Sequence, residues 1–230
     1  GMCLLVWANM YDSADGQLAR MTGQKSEIGR ILDGVSGDFW FISIYAAICL
    51  RLTPEWSYWI WILAAVTGLC HSKQAAMADY YRNIHLFFLK GKSGSELDNY
   101  VQQKAIYNSL SWKKDFIRKL FLWFYCDYTR SQERLTPAFQ RFFALLQQRY
   151  GAVAPQEIRD EFRRESLPLM KYTNILSFNT RVTVLFISLL INEPWLYFVF
   201  ELTVLNGLLI YMIWQHERLS NKLYKEIQMS

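Results

Sequence analysis

The feature that most constrains this chain is a run near its C-terminus, "WLYFVFELTVLNGLLIYMIW", residues 195–214. Twenty residues at 1.5 Å each match the hydrocarbon thickness of a bilayer, so the run is long enough to span one as a helix. It does not stand alone. "CLLVWANM" opens the chain, "FWFISIYAAICL" covers residues 39–50, "WSYWIWILAAVTGLC" covers 56–70 and "TRVTVLFISLLI" covers 180–191. Hydrophobic residues make up 52% of the 230 and aromatics 17%, with nine tryptophans, yet charged residues still reach 20%. That mixture predicts apolar spans alternating with a charged, water-facing part. Backbone groups in hydrocarbon must be satisfied within each segment, so the spans are expected to be helices.

Five membrane helices are predicted: residues 2–20, then from Glu27 to about Leu50, then from Glu55 towards Leu89. A fourth runs from about Tyr172 through 180–191, and a fifth from Trp195. "RLTPEWSY" and "NEPW" read as tight connections, with Pro54 expected to break the second helix. Trp56, Trp59, Trp195 and Trp214 fall near helix ends, as interfacial aromatics do. Residues 91–173 are different in kind: "KGKSGSELDNY" opens a polar stretch with apolar residues at helical spacing, and "FIRKLFLWFYCDY" within it is amphipathic. The expectation is an α-helical insert lying on or beside the membrane, between membrane helices in 1–90 and a helix pair with its tail in 174–230. If the turns at 51–55 and 192–194 share one side, Arg51 is the only basic residue there. Arg20, Lys25, Arg30, the insert and "HERLSNKLYK" then lie on the other, which the positive-inside rule makes the cytoplasm.

The net charge of +5 suits anionic headgroups, and no basic-aromatic module points to nucleic acid. The four cysteines form no CxxC pair and are expected to pack as small hydrophobes. The chain opens with Gly, and the run from Met2 is short for a full span, so upstream sequence is expected.

Between the first two apolar runs lies "DSADGQLARMTGQKSEIGRILDGVSGD", residues 12–38, with four aspartates. Asp12 and Asp15 are three apart and share a helix face, and Asp33 follows on the next helix. Two adjacent helices with a short connection can aim these acids at one point, where they repel unless cations lie between them. Hard oxygen donors suit Mg²⁺, Mn²⁺ or Ca²⁺, and such a site accepts a diphosphate. Gly16 and Gly29 lack a β-carbon and let a flat base or sugar approach the backbone.

The segment resembles the signature of the CDP-alcohol phosphotransferase family, D-x2-D-G-x2-A-R-x8-G-x3-D-x3-D. Asp12, Asp15, Gly16, Ala19, Arg20, Gly29 and Asp33 match in type and spacing. The resemblance implies an all-α integral membrane bundle of six helices, of which this chain would hold helices two to six. It implies transfer of a substituted phosphate from a CDP-linked donor to an alcohol with release of CMP, in phospholipid biosynthesis. Carried over residue by residue, Asp12, Asp15, Asp33 and Asp38 hold two divalent ions, Mg²⁺ or Mn²⁺. Gly16, Ala19, Arg20, Ser26 and Gly29 line the nucleotide site. The family places its last aspartate, the general base, at position 37, which here is Gly37; Asp38 comes one residue late. On a regular helix position 37 lies about 40° from Asp33 and position 38 about 140° away, so a π-bulge between them is expected if Asp38 is the base.

CDP-diacylglycerol is the expected donor and a small alcohol the acceptor, with membrane lipids as surroundings and a homodimer as the family's habit. Lys73 and Arg82 are candidate acceptor-binding residues, against the alternative that they simply end a membrane helix. Glu201, inside the last span, is expected to be protonated or paired. The rival functions are transfer of a CDP-linked headgroup to a lipid alcohol, and a catalytically inactive membrane scaffold.

Overall fold

The computed structural model describes residues 1–22, 27–91, 95, 97–151 and 153–229. Side chains are described for all of these except Met2, Asp12, Ala19, Arg20, residues 27–36 and Asp38. Every regular element among the described residues is helical: α1 (Met2–Thr22), α2 (Glu27–Trp56), α3 (Trp59–Lys90), α4 (Tyr100–Ser109), α5 (Phe116–Leu135), α6 (Pro137–Tyr150), α7 (Gln156–Ser166), α8 (Met170–Ile175), α9 (Phe178–Leu190), α10 (Trp195–Phe200) and α11 (Asn206–Met229). A π-helical turn, Glu201–Leu205, joins α10 to α11, so the chain is helical without interruption from Trp195 to Met229. By length and composition, two stretches among the described residues could cross a membrane, Gln156–Leu190 and Trp195–Met229. The first is interrupted at Leu167–Leu169 and again at Ser177, whose backbone is extended, so its apolar part is essentially α9.

Pro54 does not end α2. The helix continues two residues further, and the chain turns at Ser57, which adopts a left-handed φ of 54°. Proline is tolerated there because the helix has only one turn left; beside it Thr53 Oγ1 donates to Cys49 O at 2.6 Å. The Trp61 indole in turn donates to Thr53 Oγ1 at 3.0 Å, tying the two helices together. The second tight turn uses a left-handed residue as well, Asn192 at φ 64°. Both turns lie at the same end of the bundle: Arg51 donates to Asn192 Oδ1, and the Trp56 and Trp195 rings are 5.6 Å apart.

Two apolar cores result. At the turn end, Phe41, Tyr45, Cys49 and Leu52 of α2 pack with Ile60 and Ala64 of α3, Leu185 of α9, and Tyr197 and Phe198 of α10. At the other end, the second halves of α3 and α11 pack with α6 and α7. Phe88 of α3 stacks on Phe162 of α7 at 4.0 Å, which lies parallel to Phe142 of α6. The segment 91–173 is helical as expected, and its α6 and α7 share a core with α3 and α11 rather than standing apart. One carboxylate organises the junction: Glu217 of α11 accepts from the Ala138 and Phe139 amides at 2.7 and 3.1 Å. These are unsatisfied donors of the first turn of α6, so α11 supplies the cap that Thr136 does not. Cys49 and Cys126 are buried as expected, whereas Cys3 is exposed.

Candidate functional site

The acid-bearing motif falls on two consecutive helices. Asp12, Asp15, Gly16, Ala19 and Arg20 lie in α1, and Gly29, Asp33 and Asp38 lie in α2. Ser26 lies outside the described residues, as do the side chains of Asp12, Ala19, Arg20, Gly29, Asp33 and Asp38. Of the expected ligands the Asp15 side chain is the one described, and it is exposed; Gly16 is half-buried. Among the described residues no group of three or more His, Cys, Asp or Glu could hold a metal. The expected donor set is carboxylate oxygen only, and that chemistry fits a hard divalent ion.

The backbone bears on the late aspartate. α2 is α-helical through Asp33 and Asp38, without the π-bulge that the spacing led us to expect there. The wide turn of this chain is elsewhere, at Glu201–Leu205.

Lys73 and Arg82 are not brought together. Both lie on the unbroken α3 and both are exposed, but nine residues put them about half a turn out of phase. Lys73 donates to Ser131 Oγ of α5 at 2.7 Å. Asp79, three residues before Arg82 on the same helix, accepts from Asn83 at 3.2 Å and from the Tyr128 hydroxyl at 3.1 Å.

What the structure brings together instead is a buried polar cluster between the two cores. Arg181 of α9 and Glu201 of the π-turn form an ion pair, Nη1 to Oε2 at 2.5 Å, with side-chain exposures of 2% and 0%. Around it the donors and acceptors are matched. Arg181 Nη2 donates to Gln74 Oε1 at 2.7 Å and Nε to Leu176 O at 3.3 Å. Tyr197 OH donates to Glu201 Oε1 at 2.5 Å. Gln74 Nε2 donates both to Asn206 Oδ1 at 2.7 Å and to the Glu201 carbonyl at 3.0 Å. A π-turn shifts backbone bonding by one residue and exposes carbonyls to side chains, which gives Gln74 its acceptor. His71 Nδ1 lies 2.8 Å from Arg181 Nη1 and 3.2 Å from Tyr45 OH. The same nitrogen lies 3.3 Å from Glu201 Oε2, so His71 touches both members of the ion pair. Arg181 and Glu201 offset each other's charge, the arrangement in which burial is tolerated.

This cluster touches the helix that carries the motif. The His71 ring lies 4.2 Å from Phe41, which meets Phe178 of α9 at 5.8 Å, and Tyr45 is one helical turn further along α2. Glu201 is paired, as one of the two expected alternatives had it. Its partner was missed, although Arg181 is the second residue of "TRVTVLFISLLI" and the one basic residue in it.

Comparison with known proteins gives two matches. One relative is a bifunctional IPC transferase and DIPP synthase of Aquifex aeolicus (strain VF5), 30% identical over 122 residues, which are 50% of this chain and 28% of that protein. The chain therefore spans little more than a quarter of the relative's length. No solved structure matches. The family model that matches does so over α1, α2 and all but the last turn of α3. Residues 1–88 of this chain match the family model described as CDP-alcohol phosphatidyltransferase.

Proposed function

We propose that the chain is a divalent-metal-dependent membrane phosphotransferase that moves a phosphatidyl group from CDP-diacylglycerol to a small alcohol and releases CMP. The observation that carries this reading is the seven-position motif of residues 12–33, split over two consecutive helices inside the matched region. In this reading residues 91–173 form a helical insert on the cytoplasmic side, where the motif also opens.

Asp12, Asp15, Asp33 and Asp38 would hold the metal ions, which supply charge neutralisation at the diphosphate. The chain's own residues do the rest. Gly16, Ala19 and Gly29 keep the nucleotide surface free of bulk, and Arg20 offers a planar cation to a phosphate. Asp38 takes the proton of the acceptor hydroxyl. The acceptor oxygen then bonds to the phosphorus that carries the diacylglycerol, the bond from that phosphorus to the CMP oxygen breaks, and CMP leaves with the electron pair. On the regular helix observed, position 38 lies about 140° from position 33 but on the core-facing side of α2, so the rate of Asp38→Asn decides its role. Phe41, Tyr45, Cys49 and Leu52 all lie within about 60° of its position on α2, and all four are buried in the core shared with α3.

The test uses the chain purified into nanodiscs, with CMP release followed from CDP-diacylglycerol and, separately, from a CDP-linked headgroup donor. We expect CMP from the first, lost in EDTA and restored by Mg²⁺ or Mn²⁺. Asp12→Asn, Asp15→Asn and Asp33→Asn should each abolish turnover while leaving the protein folded. CMP from the headgroup donor alone would reverse the polarity of the transfer. Full activity in chelator would refute the metal assignment, and no CMP from either donor would leave the inactive scaffold.

A further inference from the structure

The outward face of α5 is a second feature that the transfer chemistry leaves unused. α5 buries Lys119, Leu122, Cys126 and Thr129 against the rest of the chain. On the opposite side Phe116, Ile117, Trp123 and Phe124 are 57%, 67%, 51% and 54% exposed. At 100° per residue these four fall within about 120° of one another, so the first two turns of the helix present an apolar stripe to the outside. Large apolar side chains gathered on one exposed face mark an interaction surface rather than the scatter of a normal surface.

The turn before the helix extends the stripe and gives it charge. Trp112, 46% exposed, is held by ring contacts to Tyr107 and Phe116 at 6.4 and 5.8 Å. Lys119 lies beneath it, with Nζ 5.5 Å from its ring and donating to Leu110 O at 2.6 Å. Lys113, Lys114 and Arg118 are exposed beside these rings, against the half-buried Asp115 and, one turn beyond Phe124, the exposed Asp127.

We propose that this face of α5, with the turn at residues 111–115, rests on the bilayer as an interfacial anchor that prefers anionic lipid. Three observations select that occupant over a protein. Apolar side chains cover the face while cations border it, which is the pattern of helices that lie in the headgroup region. Two of the exposed rings are tryptophan, the side chain that combines an apolar body with a polar edge suited to that depth. The same chain carries two stretches apolar enough to cross a membrane, so a bilayer is at hand. The cations select anionic headgroups by charge complementarity, each contributing on the order of 1 kcal/mol near a negative surface. This inference does not depend on the transfer reaction.

Site-specific photocrosslinking tests it on the full chain. Benzoylphenylalanine is placed at Phe124, at Ile117 and, as a control, at the exposed Gln148 of α6, in nanodiscs of phosphatidylcholine with about 30% phosphatidylglycerol. Irradiation should give lipid adducts by mass spectrometry at Phe124 and Ile117 and none at Gln148. Phosphatidylglycerol should be over-represented at least about twofold relative to its share of the bilayer, and the excess should disappear in Lys113→Gln with Lys114→Gln. A crosslinked dimer from Phe124 would mean that a second copy covers the face and would overturn the proposal. Absence of adducts at both positions, or adducts in plain proportion to bilayer composition, would overturn it too.

Discussion

Glu201→Gln isolates the electrostatics of the buried cluster, because the amide has the shape of the carboxylate without its charge. In the native protein Arg181 Nη1 is 2.5 Å from Glu201 Oε2, and neither side chain reaches solvent. Coulomb's law with an effective dielectric constant of about 20 gives roughly 6–7 kcal/mol at that separation, before desolvation is subtracted. The net loss is set by what remains, a guanidinium buried without a counter-ion, and that condition costs about 3–5 kcal/mol. Arg181→Met leaves the complementary buried carboxylate and should cost a similar amount. The double variant buries no charge at all. It still loses the partner of Gln74 Oε1, at about 1–3 kcal/mol, while His71 Nδ1 keeps Tyr45 OH, so it is not neutral. We expect the double variant to fall short of the sum of the singles by at least about 3 kcal/mol. The assay is reversible unfolding of the purified protein by SDS in mixed micelles, followed by far-ultraviolet circular dichroism for all four members of the cycle. Additive losses, or a Glu201→Gln variant within about 1 kcal/mol of the parent, would refute the account of the pair as mutually dependent charges.

Asp38→Asn should preserve binding of the CDP donor and lower the transfer rate about 10²-fold or more, the scale for losing a general base; a normal rate in single-turnover assays would remove Asp38 from the mechanism. Residues 94–166 should be cleaved by protease added to the cytoplasmic face of sealed vesicles, and cleavage only from the opposite face would overturn the topology. Glu217→Ala removes the cap on α6 and should cost about 1–2 kcal/mol; faster hydrogen exchange at the Ala138 and Phe139 amides is the local signature to measure.

How much of this was legible in the sequence depends on the range over which each feature is decided. Helix existence is local, and α1, α2, α3 and the helix from Trp195 all follow from apolar runs and turn residues. Ends are less so: Pro54 read as a breaker, yet it costs little in a last turn whose Thr53 and Trp61 are already bonded to each other. The motif residues are distributed over α1 and α2 as the spacing indicated, while the geometry of most of their side chains lies outside the described residues. The phase of Lys73 and Arg82 was available in principle, since nine residues on one helix put two side chains on opposite sides. The partner of Glu201 was not. A carboxylate in an apolar run announces that it needs a cation, but which one is fixed only when α9, α3 and the π-turn pack together.

The Arg181–Glu201 pair also bears on how this part of the chain enters a bilayer. The two residues sit on either side of the turn at Asn192, on helices that pack against each other, so the partners belong to one helical hairpin. Separately inserted, each charge at mid-bilayer costs about 2.5–3.5 kcal/mol on the translocon scale. Inserted as a hairpin, they enter as a neutral dipole whose two halves are already within reach, before α2 or α3 is met. Entering together, α9 and the helix from Trp195 would bring no net charge from this pair into the hydrocarbon. A break in the turn at 191–194 would expose the two charges to lipid one at a time, and the defect would show as failed insertion rather than as lost chemistry.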